Sequence, residues 1–267
     1  MRSYLTHLEC TYCGETYSAD KPARLCQKCG KVLYARYDLA AARAAVDREA
    51  LKNRPANMWR YFEVMPVREE TNVVTLGEGF TPILKAKRLG EHLGSRSLYI
   101  KDEGLNPTGS FKSRGLSAAV SKAFELGIKG VTLPTAGNAG GALAAYAARA
   151  AMKAHIFMPK DAPESTKKEV HSSGANLTLV DGLINEAGRQ SREMAEGAGL
   201  FDMSTLQEPY RAEGKKTMAY EIAEQMGWTM PDAIIYPTGG GTGVVGIWKA
   251  VCEMEELGWL DGKRPRM

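Results

Sequence analysis

No apolar run in this sequence approaches the roughly 18 residues that a membrane-spanning helix needs. The start, MRSYLTHLECTYC, lacks the apolar core of a secretory signal peptide. The longest stretch of low polarity, Ala139 to Ala148, is mostly alanine and stops at Arg149. Charge of one sign is scarce too: a net +4, dispersed over the chain, is too small to argue for a nucleic-acid surface. Internal repeats and low-complexity linkers are missing. The four histidines, His7, His92, His155 and His171, are scattered, and only His7 neighbours the cysteines described next. What remains is ordinary, with 44% hydrophobic and 25% charged residues among 267. That is one large domain or two intertwined ones, long enough to bury a substantial core. Disordered, collagen-like and disulfide-rich classes are excluded, as are membrane and nucleic-acid partners. A cytoplasmic α/β protein is the expectation.

Four of the five cysteines fall in two pairs, Cys10-x2-Cys13 and Cys26-x2-Cys29. A glycine follows each pair (Gly14, Gly30), permitting the tight turn that points two thiolates at one ion. Four thiolates at this spacing suit a tetrahedral, closed, structural Zn²⁺. A redox dithiol or a pair of disulfides fits two such close pairs less well. Cys252 sits on the apolar face of a late helix and reads as a small buried hydrophobe.

Leu39 to Asn53 reads as an amphipathic helix, followed by a loop with Gly77, Gly79 and Pro82. From there strand and helix alternate. Strands are expected at 97–102, 130–134, 154–158, 176–180 and 233–237. Helices are expected at 110–126, 138–151, 163–172, about 184–197, 214–226 and 242–257. Short apolar strands alternating with helices imply parallel sheets covered on both faces. The chain stops at Met267, where another strand is expected, so the reading includes a C-terminal truncation.

Three strand-to-helix turns are rich in glycine: 106–112 (NPTGSFK), 135–141 (TAGNAGG) and 238–243 (TGGGTG). Ligands of open α/β sheets bind at such carboxyl ends of strands. Glycine lets backbone N–H groups approach an anion, and a helix N-terminus adds partial positive charge. The last turn is the strongest phosphate cradle. It also contains Gly241-x-Gly243-x-x-Gly246, a literal dinucleotide fingerprint. The acid of such a site belongs after a second strand, and no strand fits before Asp261, so that reading is rejected. No Walker lysine follows any of the loops. Lys112 lies in the first turn of a helix capped by Ser110, where the macrodipole lowers the pKa of an amine. A lysine nucleophile beside a phosphate cradle points to pyridoxal 5′-phosphate, a phosphorylated aldehyde.

The segments NPTGSFKSRG (106–115), TAGNAGGALAAYAARA (135–150), EPYRAEGKKT (208–217) and PTGGGTG (237–243) resemble the fold-type II pyridoxal phosphate enzymes, in particular the threonine synthase family. The likeness runs over essentially the whole chain in the right order, and a zinc ribbon occurs in some family members. It implies an α/β fold of the tryptophan synthase beta type, with two intertwined open parallel-sheet domains and an N-terminal zinc ribbon of Cys10, Cys13, Cys26 and Cys29. The expected division is 1–35 for the ribbon, 36–103 and 204–267 for part of the large cofactor-binding domain, and 104–203 for a small α/β domain. The resemblance further implies that Lys112 holds the cofactor aldehyde, Asn138 bonds the pyridoxal 3′-oxygen, and Phe111 packs near the ring. Gly239, Gly240, Gly241, Thr242 and Gly243 would bind its phosphate. Arg211 and Lys167 are the candidate cations for a substrate phosphate. The family's hydroxyl partner for the pyridine nitrogen lies beyond this chain.

The implied reaction is conversion of O-phosphohomoserine, a small amino-acid substrate, and water to threonine and phosphate; a homodimer is the expected assembly. Departures exist. Glu208 stands where many relatives have Asn, and if turned inward it would repel a phosphate. The alternative is therefore a β-eliminating or β-replacing relative, such as a serine/threonine dehydratase or a cysteate synthase-like enzyme. A silent, zinc-stabilised binding protein is a third reading. Asp102 and Glu103 read as a solvated or structural strand end.

Overall fold

In the computed structural model, which describes residues 1–260 and 262–267, the chain is an α/β protein. Asp261, weighed above, lies outside the described residues. The N-terminal unit is a three-stranded antiparallel sheet, with β1 (Leu5–Cys10) between β2 (Thr16–Ser18) and β3 (Leu33–Tyr37). Alternation buries Leu8 and Cys10 of β1 against Leu33 and Ala35 of β3, and a register shift between Leu5 and His7 leaves Leu5 buried as well.

Helix α1 (Leu39–Ala45) is shorter than the periodicity suggested. It ends at Val46, extended at φ −117°, and Asp47 then caps a separate 3₁₀ turn over Arg48–Asn53 through the Glu49 amide. A stiff β-branched residue followed by a capping aspartate favours this break over one continuous helix.

Strand β4 (Ile83–Lys85), helix α2 (Lys87–His92) and strand β5 (Tyr99–Lys101) follow, and β4 and β5 pair antiparallel. Helix α3 (Lys112–Glu125) leads into the main sheet. That sheet is parallel, in the order β8 (Asn176–Val180), β7 (Lys153–Pro159), β6 (Gly130–Pro134), β9 (Phe201–Asp202). Its crossovers are α4 (Asn138–Arg149), α5 (Glu164–Ser172) and α6 (Ile184–Ala198). Val131, Leu133, Ile156 and Met158 are buried between these layers, as a two-sided parallel sheet requires.

Helices α7 (Tyr210–Gln225) and α8 (Thr242–Glu256) pack on each other and α7 also packs on α3, forming a second core around Tyr220, Ile247 and Met254. α7 begins four residues before the expected Gly214 because the Glu208 carboxylate accepts from the Tyr210 and Arg211 amides, at 2.6 and 3.0 Å, and so caps the helix.

The expected strand at 233–237 does not form. Ala233 makes one isolated parallel bridge with Arg266, and Ile235 is 96% exposed. A strand is defined by its neighbours, and this segment has only the Arg266 backbone beside it among the described residues. The parallel sheet therefore lies wholly in residues 130–202 among the described residues, not in two places.

Candidate active site

The site is built where α3, α7 and the loop before α8 meet. Ser110 is buried, and its hydroxyl accepts from the Lys112 amide at 3.4 Å, which starts α3. The preceding turn is held by charge. Arg114, fully buried, donates to Glu103 at 2.6 and 2.7 Å and to Glu221 of α7 at 2.5 and 2.8 Å. Glu103 also accepts from Asn106 at 3.0 Å. Glu103 thus anchors the lysine turn, the structural role expected of that strand end.

Close approach of α7 to α3 depends on Gly115, where a Cβ would lie 3.0 Å from both the Arg211 carbonyl and Lys215 Cε. The contact sets Lys215 beside Lys112. Both amines lie over the Phe111 ring, with Nζ 3.7 and 4.6 Å from its centroid for Lys112 and Lys215. The Tyr236 ring meets Phe111 at 5.3 Å. Arg211, 2% exposed, donates Nη1 to the Met203 carbonyl at 2.6 Å and to Thr205 Oγ1 at 3.4 Å, and its Nε has no partner.

Electrostatics follow from this burial. The Lys112 amine is pulled down to about 8, first by burial and then by the Arg211 charge. The low pKa expected from the helix start is present, but desolvation and a neighbouring guanidinium cause it. Lys215 is pulled further, to about 6, by burial and then by Arg211 and Lys112, with Glu208 acting the other way. Burial raises Glu208 to about 7 against the pull of Arg211 and of the two amides it accepts from. Its carboxylate is turned back onto the α7 N-terminus, so the feared repulsion of a bound phosphate is blunted.

The glycine loop closes the site. Gly241 holds φ +84° at the N-cap of α8, a conformation that L side chains rarely adopt. A Cβ at Gly240 would fall on Thr205, and one at Gly243 would fall on the Tyr236 hydroxyl. Gly239 is exposed. Two buried hydroxyls at this loop, Tyr236 Oη and Thr242 Oγ1, have no hydrogen-bond partner. The third glycine of the fingerprint, Gly246, lets α8 lie on α7, where a Cβ would stand 2.8 Å from the Ala212 carbonyl. It serves helix packing, in keeping with rejection of a dinucleotide site.

Unpartnered hydroxyls, free N–H groups at the start of α8 and a half-buried amine fit a phosphorylated aldehyde. The structure thus brings Lys112, Phe111, Arg211 and the 239–243 loop together. Asn138 opens α4 with an exposed amide that makes no hydrogen bond among the described residues. Lys167 stands apart on α5, its amine donated to the Lys160 carbonyl and Glu164 Oε1, each at 2.7 Å. Sequence reasoning missed Lys215. The adjacent pair Lys215-Lys216 looks like a solvated helix face, and the one signal was its place four residues after Arg211, on the same face.

The four cysteines also converge, with all sulfurs within 4.8 Å of one another. Cys10–Cys29 is 3.4 Å, and Cys13–Cys26 and Cys13–Cys29 are each 3.6 Å. Disulfides would be about 2.05 Å. Thiolates about 2.3 Å from a tetrahedral zinc stand close to the observed separations. Gly14 and Gly30, at φ +71° and +70°, return their amides to the Cys10 and Cys26 carbonyls at 3.1 and 2.8 Å, making two matching knuckles. The donor set fits one structural zinc. His7 is not part of it. The ribbon is tied to the site region through Arg24, which pairs with the buried Asp202 at the end of β9.

Residues 74–264 match the family described as pyridoxal-phosphate dependent enzyme. The chain is 36% identical to the threonine synthase of Methanocaldococcus jannaschii over 97% of its own length and 63% of the relative's. It is likewise 36% identical to the threonine synthase of Methanosarcina acetivorans, over 96% of this chain and 62% of that one. Among solved structures, the processed form of threonine deaminase isoform 2 from Solanum lycopersicum superimposes with a TM-score of 0.59 at 26% identity, covering 78% of this chain and 54% of that one. The chain thus spans less than two thirds of the length of these relatives. No helix among the described residues is long and apolar enough to cross a membrane.

Proposed function

This chain belongs to the pyridoxal-phosphate dependent enzymes, and from that premise we propose that it carries the cofactor-anchoring site of a threonine synthase, which converts O-phosphohomoserine and water to threonine and phosphate. The observation that carries this reading is the pair of amines, Lys112 and Lys215, over one aromatic ring, with the buried Arg211 guanidinium one turn along α7 from Lys215, and none of the three in an ion pair among the described residues. A neutral hydroxy-amino-acid side chain has no use for a buried guanidinium beside an unpaired amine. A phosphate dianion does.

The cofactor, when bound, supplies an electron sink for negative charge at the substrate α-carbon. Lys112 is placed to hold its aldehyde. With a pKa of about 8, the amine is present in both forms near neutral pH, so Nζ can accept a proton from the α-carbon and return it elsewhere. The Thr242 and Tyr236 hydroxyls and the Gly239–Gly243 backbone would hold the cofactor phosphate. Phe111, pinned by Tyr236, fixes where the Lys112 amine lies. Arg211 is anchored by the Met203 carbonyl with Nε open, and is the proposed contact for the substrate phosphate. Asn138 remains the proposed partner of the ring oxygen. The cytoplasm is the proposed setting, since four unbridged thiols persist where thiols are kept reduced.

The test is a direct competition of substrates. Phosphate release from O-phosphohomoserine, with no ammonia release from threonine or serine, is expected. Ammonia release from either hydroxy-amino acid without phosphate release would move the chain to the dehydratases.

A further inference from the structure

Four lysines are buried among the described residues, and three of them are paired with carboxylates. Lys122 meets Glu125 at 2.6 Å, Lys216 meets Glu213 at 2.7 Å, and Lys249 meets Glu253 at 2.5 Å. Lys215, 3% exposed, meets none. Its amine lies over the Phe111 ring that Lys112 also covers, one turn along α7 from Arg211. An amine with so little water and no acid partner is a costly thing to bury in its charged form.

We infer that Lys215 and Arg211 together form a dianion-binding subsite beside Lys112, in which the buried Lys215 amine, without an acid partner inside the protein, gains one when a phosphate or sulfate group docks. The inference deepens the proposed function and rests on it for the identity of the substrate, O-phosphohomoserine.

Three charged groups face Lys215. On α7 itself is Arg211, and from α3 comes Lys112; both disfavour an ammonium there. From the segment before α7 comes Glu208, which favours it but is bound back onto the Tyr210 and Arg211 amides. Burial and the two cations hold the free amine near 6, well below the ordinary lysine range. A dianion between Lys215 and Arg211 reverses the sign of the local potential, so the proton is bound along with the anion. The proton balance is simple: one leaves buffer and one appears on Lys215 Nζ. Arg211 contributes a fixed charge, with its Nε unpartnered and its Nη1 held by the Met203 carbonyl and Thr205.

Sulfate is the right probe, because it stays a dianion through the neutral range and does not titrate itself. Its binding to the cofactor-loaded protein is measured calorimetrically in buffers of different ionisation enthalpy, which separates proton uptake from binding heat. At about pH 7.5 net proton uptake with sulfate is expected, since burial and Arg211 disfavour the ammonium in the free site, and the uptake falls toward zero as the pH drops to where the amine is already charged. Lys215→Gln should weaken sulfate binding about tenfold or more and abolish the uptake. Lys215→Arg should keep the affinity and also abolish the uptake, since guanidinium arrives charged. Three results overturn the inference: no sulfate binding, binding without uptake in the native protein, or uptake that survives both substitutions, which would assign the proton to Glu208. If uptake behaves as expected but O-phosphohomoserine is not turned over, the subsite stands and the proposed substrate falls.

Discussion

Lys215 and Lys216 are neighbours on α7 and share a residue type, a backbone and near-complete burial, yet their surroundings are opposite. One step of a helix turns a side chain by about 100°. Lys216 faces α8 and forms a closed lattice with Glu213 of its own helix and with Lys249 and Glu253 of α8: Glu213 and Glu253 lie 2.7 and 2.9 Å from its amine. Tyr220 donates to Glu253 and Tyr37 to Glu213, each at 2.9 Å, so nearly every polar atom in the lattice is used. Lys215 faces α3 and finds Arg211 and Lys112. One face of the helix has its charges compensated inside the protein. The other leaves compensation to something outside it. That difference separates a structural ion cluster from a binding site more sharply than burial does, since both lysines are at most 3% exposed.

The comparison breaks most visibly at Glu253. Glu253→Leu leaves Lys216 and Lys249 with Glu213 as their only acid, and removing one partner of a buried charge cluster costs about 3–5 kcal/mol. Denaturant unfolding should show that loss as a lower midpoint at unchanged slope. A loss below about 1 kcal/mol would mean that water or rearrangement already compensates the lattice.

An effect of opposite sign and similar size is expected at Lys215. Its pKa is depressed from 10.5 unfolded to about 6 folded. Between those values the unfolded chain holds a proton that the folded chain does not. The residue therefore places no charge penalty on folding above about pH 10.5, and the penalty grows as pH falls, reaching its full size below about 6. One proton of difference corresponds to about 1.4 kcal/mol per pH unit. Lys215→Gln should remove that slope and make the protein more stable than the native one near neutral pH. An unchanged slope between about pH 7 and 9 would show that Lys215 is charged in the fold after all.

Much of the main sheet was legible in the sequence. The strands at 130–134 and 176–180 fall where their apolar runs stand, because each carries its burial pattern locally. The cysteine cluster and the Lys112 turn were legible for a related reason: close spacing in sequence enforces closeness in space. The segment 233–237 has strand composition but lacks a ladder, since pairing is not a property of one segment. Glu208 was read as a threat to an anion and turns out to cap α7. Lys215 was hidden because its meaning depends on α3, more than a hundred residues away in the chain. Arg211, by contrast, was carried by the family motif, and the structure adds what holds it.

The central claim is that Lys112 is the lysine that holds the cofactor. Lys215 is the natural competitor, close by and with the lower pKa. It is also the more deeply buried, with Lys112 only half-buried at the mouth of the glycine turn. Borohydride reduction of the cofactor-loaded protein followed by peptide mapping decides between them. The account predicts label on Lys112 alone, and label on Lys215 would contradict it.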